Sequence, residues 1–413
     1  MKARVRPAGT VAARGGQACA SLSRVTSARP SPPPSPDGAA PPSPAPVSAQ
    51  ERALLPDALR GFALVGIALI NVQDFAGFAV WEQTGLSRAA QVLTDVFFNG
   101  KSVALFAMLF GWGAAGIYRR HGLGVYVRRH ALLLLIGTLH FLLLWHGDII
   151  AGYAVSGLLF LLLLRVRSAG ALLAWAWALF GLNALAYLAS GLGGSAQMGT
   201  RQLFDPLSPT ATYLDALTHR WDDLPYMSLS HLFLASFALP LFAFGGWAAR
   251  VGLLERPAEH RPLLLRLAAL GLSLGTLLGL GLAYLNTLDT GRAEGLSEAM
   301  RVISGLPMAF GYVGAFGLLS LRPQPPAALV VLARSGRLAL THYLTQSLVL
   351  TLVFYPYTFG LYGRVNAAGA VLVALALALL QIALSGPYLA RYGRGPLETL
   401  LRWGVYGRRR TAR

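Results

Sequence analysis

Long apolar runs constrain this chain more than any other feature of its sequence. They recur at about 59–80, 97–118, 130–146, 148–164, 169–190, 227–249, 263–286, 302–321, 338–358 and 366–388. Each is roughly 16 to 26 residues long, enough for a helix to cross a hydrocarbon core of about 30 Å. Their apolar residues are continuous and do not alternate with period two, which argues against a barrel. Composition agrees, since 55% of the 413 residues are apolar and only 13% charged. Soluble domains carry about 25% charge, so this chain cannot cover a water-facing globule and a soluble enzyme is excluded. The expected fold is all-α, a polytopic transmembrane helical bundle of about ten spans in a lipid bilayer.

The net charge of +18 could suggest a nucleic-acid partner, but its distribution does not. The basic residues come in short bursts between the apolar runs, the pattern that sets membrane orientation. With the N-terminus placed in the cytoplasm, the inner loops and C-terminal tail hold twenty arginines. The outer loops hold six: Arg88, Arg201, Arg220, Arg292, Arg301 and Arg364. This asymmetry predicts that both termini are cytoplasmic, as an even number of spans requires, and no nucleic acid is expected. The outer loops also carry most of the acids, among them Asp95, Asp205, Asp215 and Glu298. The longest outer loop, about 191–226, includes Trp221 and Tyr226. Cys19 is the single cysteine, which excludes an intramolecular disulfide and any cysteine metal site.

Three regions follow. Residues 1–50 are rich in Pro, Ala and Ser without an apolar period, and read as a disordered cytoplasmic tail. No apolar segment precedes residue 59, so the tail does not read as a cleaved signal peptide. Residues 51–390 form the transmembrane helical domain, and residues 391–413 a basic cytoplasmic tail.

Ionisable residues inside spans cost roughly 2.5–3.5 kcal/mol on insertion scales and are functional candidates by default. Asn71 and Asp74 fall toward the outer end of the first span, and Lys101 near the outer end of the second. His140 lies in the outer half of the third, with His146 and Asp148 at the tip of a tight hairpin to the fourth. Three segments thus bring their polar groups to one depth. A histidine oriented by a carboxylate can take a proton at neutral pH, and Lys101 can stabilise an oxyanion or pair with Asp74 or Asp148. Structural ion pairing is the alternative for the same residues. The spacing of His140, His146 and Asp148 matches no zinc pattern, so no metal is expected. A second polar group lies on the cytoplasmic side: Arg60 (three residues after Asp57), Arg128, Arg129, Arg337 and His342. Guanidinium clusters suit phosphate recognition, although snorkelling at helix ends gives the same pattern.

Several blocks of sequence resemble the YeiB-like family of membrane proteins, a domain of unknown function. They are LLPDALRGFALVGIALIN (54–71), NGKSVALFAMLFGWG (99–113), the run 128–165, the run 335–364 and GPLETLLRWGVYGR (395–408). More distantly, LRGFALVGIALIN is similar to the opening helix of transmembrane acyltransferases, which include O-antigen acetylases and the lysosomal heparan-glucosaminide acetyltransferase. In that enzyme an Asn ending this helix and a His shortly after it are implicated in acetyl transfer. Asn71 matches the Asn. The His has no counterpart, because no histidine occurs between Asn71 and His121, and His140 or His146 is the substitute. The resemblance implies a multi-pass protein of the bacterial cytoplasmic membrane that uses acyl-CoA as co-substrate, with no bound cofactor. Its acceptor would be a cell-envelope glycan or lipid at the outer face. On this reading His140, Asp148, Lys101, Asn71 and His146 are catalytic, and Arg60, Arg128, Arg129, Arg337 and His342 bind the donor. A transporter or flippase, and a non-catalytic membrane protein, stay open as alternatives, and the oligomeric state is not legible.

Overall fold

The computed structural model describes residues 54–193, 210–289 and 291–407, without the side chains of residues 291 and 292. The 1–50 tail with Cys19, Arg201 and Asp205 of the long outer loop, and Arg408, Arg409, Arg410 and Arg413 lie outside the described residues, as does the side chain of Arg292. The described chain is all-α. In order the helices are α1 (Leu54–Ala76), α2 (Gly85–Phe97), α3 (Lys101–Leu143), α4 (Ile150–Leu164), α5 (Ala169–Leu192), α6 (Tyr213–Asp222) and α7 (Leu224–Val251). After a 3-10 turn at Pro257–His260 come α8 (Arg261–Leu285), α9 (Gly291–Ser320), α10 (Ala327–Gly336), α11 (Ala339–Phe354), α12 (Ala367–Tyr392) and α13 (Pro396–Tyr406).

Among the described residues, seven helical stretches are long and apolar enough to cross a membrane, and α4, α10 and α11 are shorter apolar helices. Helix α3 carries two of the expected apolar runs. Gly122, at φ 73° and ψ −173°, breaks it into two limbs. The rings of Phe110 and His130 lie 5.9 Å apart, yet twenty helical residues would separate them by roughly 30 Å if α3 were straight. The chain therefore doubles back at Gly122. Four short helices, α2, α6, α10 and α13, fall where the sequence predicts only loops and tails, and α9 begins eleven residues before the run at 302.

Helix α1 sits at the centre, 72% buried along its apolar stretch, whereas α5 is only 11% buried. Trp175, Leu182 and Leu185 on α5, Leu270 and Leu277 on α8, and Leu372 and Leu380 on α12 all face outward. Such an apolar exterior is the surface of a membrane protein. Inside, small residues let helices touch backbone to backbone. A Cβ on Gly271 of α8 would come within 2.4 Å of the Gly311 nitrogen of α9, and this seam joins the two helices along their length.

Candidate active site

The site begins with one close approach. On the second limb of α3, a Cβ at Gly137 would lie 2.3 Å from the Ala151 nitrogen and 2.7 Å from Asp148 Oδ2. Only glycine lets this limb press onto the start of α4, and that contact brings His140 to Asp148. His140 Nδ1 and Asp148 Oδ1 are 2.8 Å apart, with both side chains fully buried. The other carboxylate oxygen accepts the Ala151 N–H at 2.7 Å. An ionised Asp148 places the imidazole proton on Nδ1 and leaves Nε2 as an acceptor. That Nε2 is buried and has no hydrogen-bond partner among the described residues.

Tyr343 of α11 closes one side, its ring 5.3 Å from that of His140. Its hydroxyl donates to the Gly147 carbonyl and accepts the Ile149 N–H, each at 3.3 Å. The link between α3 and α4 is thereby pinned to α11. From α7, His231 Nε2 reaches within 4.0 Å of Asp148 Oδ2. Sequence reading missed His231, although an ionisable residue inside the run 227–249 is the same kind of signal that marked His140.

The other outer residues divide into two groups. His146 Nε2 lies 2.8 Å from Asp74 Oδ2, and the Trp145 indole donates to that oxygen at 3.0 Å. Trp145 is buried against Phe75 at 4.5 Å, whereas the Asp74 side chain is 51% exposed. This pair ties the end of α1 to the α3–α4 link at the rim of the bundle. Asn71 is half-buried on α1, about one turn before Asp74.

Lys101 differs from the expected meeting with His140 and Asp148. Its ammonium is fully buried and donates to the Asp95 backbone carbonyl at 2.7 Å. The Asp95 carboxylate accepts from Asn99 at 2.8 Å and Asn286 at 2.9 Å, and Ser297 donates to Asn286 at 2.5 Å. The physical reason is α2. This helix brings Asp95 directly against the first turn of α3, so the lysine finds a local partner between α2, α8 and α9.

Of the five residues expected on the cytoplasmic side, Arg60 and Arg129 stay within range of each other and the other three bond to different elements. Arg60 is bonded to Asp57 at 2.5 Å and lies over the Trp112 ring at 5.4 Å. Arg129 lies over Phe110 at 5.2 Å and within electrostatic range of Arg60. Arg128 donates to the Val405 carbonyl of α13 at 3.0 Å, and Arg337 to the Gly393 carbonyl at 3.4 Å. His342 sits between Ser335 at 3.1 Å and Ser385 at 3.4 Å, joining α10, α11 and α12. Among the described residues, no group of three His, Cys, Asp or Glu side chains is arranged to hold a metal ion.

The family model described as "Protein of unknown function (DUF418)" matches residues 248–408. The chain is 30% identical to the uncharacterised protein YxaH of Bacillus subtilis (strain 168), over 87% of this chain and 96% of the relative. It is 28% identical to the uncharacterised protein YeiB of Escherichia coli (strain K12), over 85% of this chain and 96% of that protein. An uncharacterised 39.9 kDa protein from the amylase 3' region of Bacillus acidopullulyticus is 24% identical over 88% of this chain and 96% of its own length. No solved structure matches.

Proposed function

The chain belongs to the DUF418 family, with YxaH and YeiB, and on that premise we propose that it is an acyltransferase of the bacterial cytoplasmic membrane. It crosses the bilayer ten times with both termini inside. It moves an acyl group from a cytoplasmic acyl-CoA to an envelope glycan or lipid at the outer face. The observation that carries the reading is the buried His140–Asp148 pair with its unpartnered Nε2. A carboxylate-held imidazole with a free acceptor nitrogen is built to take a proton. On this reading Nε2 removes the acceptor's proton as that acceptor's oxygen or nitrogen attacks the thioester carbonyl. The new bond to the acyl carbon forms, the C–S bond breaks, and the proton passes to the departing thiolate. Asp148 balances the imidazolium formed in between. Asn71 is the candidate donor to the carbonyl oxygen, on the strength of the acyltransferase resemblance. Lys101, already bonded to Asp95, has no part in it.

The test compares envelope glycans and lipids by mass spectrometry in cells with and without the protein, and with His140→Ala. An acyl group should disappear in both deficient strains, while the variant keeps its folded yield. An acyl pattern unchanged by H140A would end the catalytic reading. The buried Lys101 ammonium close to the buried Asp95 favours transport as a second reading, since buried charges also mark ion pathways. Flux of substrate across proteoliposomes without covalent change would select it.

A further inference from the structure

Away from the dyad, at the other end of the second α3 limb, positive charge outruns its partners. Eleven residues separate Arg129 from His140, roughly 16 Å of helix rise. Around Arg129 stand Arg60 from α1, Tyr126 from its own helix and Tyr406 from α13. Tyr406 is in turn within range of Arg120 and Arg402, and its ring meets His121 edge-on at 5.5 Å. Four described carboxylates lie at this end: Asp57 balances Arg60 itself, and the other three are bonded away from Arg129 and Arg120. Asp57 binds Arg60, Glu255 accepts from the Trp112 indole, and Glu259 pairs with Arg256. Glu398 accepts the Leu340 and Thr341 amides at the start of α11, together with the Thr341 hydroxyl.

Arg129 and Arg120 make no hydrogen bond or ion pair among the described residues. Arg129 instead lies over the Phe110 ring, a cation–π contact that uses up none of its N–H donors. Arg60 and Arg120 both lie along the first α3 limb, their Nη2 atoms 3.7 Å and 3.3 Å from where a Cβ on Gly113 and on Gly116 would stand, and an anion among these guanidinium groups would relieve their repulsion. Burial holds the Tyr406 phenol above its ordinary value despite three nearby arginines, so it keeps its proton and can donate. Arg128, bonded to the Val405 carbonyl, fastens α13 across this end.

We propose that Arg129, Arg60, Arg120 and Tyr406, with α13 as their cover, bind a phosphate or diphosphate group. Planar guanidinium forks and a neutral hydroxyl donor suit phosphate oxygens. The group can belong to a soluble nucleotide-like molecule or to a lipid headgroup. Phosphate binding stands independently of acyl transfer, and only equating its bearer with the acyl donor rests on that reading.

The full chain in detergent is titrated with ADP and with pyrophosphate, following thermal unfolding. In a second arm it is placed in nanodiscs of phosphatidylcholine with or without phosphatidylglycerol, and bound lipid is counted by native mass spectrometry. Saturable stabilisation by the soluble probes identifies a free phosphate ligand. Selective retention of phosphatidylglycerol identifies a headgroup. In whichever arm binds, Arg129→Gln should weaken binding about tenfold or more, the size of one lost charge-assisted contact, and Arg129→Lys should weaken it less. Should R129Q fail to fold, Arg120→Gln at the exposed bend makes the same comparison. H140A should bind as the parent does. The site is overturned if neither arm shows binding, if R129Q and R120Q bind like the parent, or if H140A loses binding. Binding without acyl transfer would remove the enzymatic reading alone.

Discussion

A single atom decides what His140 can do. While Asp148 is ionised, the shared proton sits on Nδ1 and Nε2 is free to accept. Asp148→Asn should keep the Ala151 N–H bond through its amide oxygen but present an NH2 to His140. The imidazole must then accept at Nδ1 and carry its proton on Nε2, where it can no longer act as a base. Acyl transfer should fall on the order of 10²–10⁴-fold with an unchanged elution profile in size-exclusion chromatography. Normal turnover by D148N would remove His140 as the base. This pair was legible in the sequence because a short hairpin forces residues eight apart to meet. The partner of Lys101 was not, since Asp95 falls in what the sequence presents as an outer loop. The hydrogen-bonding groups of Asn286 and Ser297 carry no charge and gave no intramembrane signal.

Among the elements, the bend in α3 is set by backbone. With φ 73° and ψ −173°, Gly122 occupies a region essentially closed to other residues. Gly122→Ala should lower the free energy of unfolding by roughly 1–3 kcal/mol, read as a lower unfolding midpoint in detergent. An unchanged midpoint would mean that the bend relaxes freely. Helix α6 depends on its start, where Thr212 accepts the Asp215 N–H and Asp215 accepts the Thr212 N–H and hydroxyl. These bonds hold the Asp215 carboxyl below its ordinary value. A depressed carboxyl supports the helix above its unfolded value, and that support is lost as pH falls through the folded one. Amide exchange across 213–222, corrected for intrinsic rates, should quicken in that acid range. Thr212→Ala should show the quickening already at neutral pH. The long helices were legible because a span needs an uninterrupted apolar run. Helices α2, α6, α10 and α13 are too short to give that signal, and tertiary contacts decide them instead.

For the whole molecule, the arginine asymmetry predicts orientation. Reporter fusions after Arg128 and after Arg256 should report the cytoplasm, and one near Asp215 the exterior. The opposite pattern would reverse the assignment of the dyad to the outer face and of the arginine cluster to the inner one. Fold class was legible because the bilayer admits so few spanning structures. Which face each side chain shares was not, because helix neighbours depend on seams such as Gly137 on Ala151 and Gly271 on Gly311. The first of those seams has a consequence for biosynthesis. Helix α4 is only fifteen residues long and is preceded by an aspartate that would cost roughly 2.5–3.5 kcal/mol at mid-bilayer. Its hydrogen-bond partner, His140, leaves the ribosome eight residues earlier on the adjoining limb. The two helices can enter the membrane together as a hairpin whose aspartate already has its hydrogen-bond partner, so the contact that builds the site also gives the nascent chain a way in.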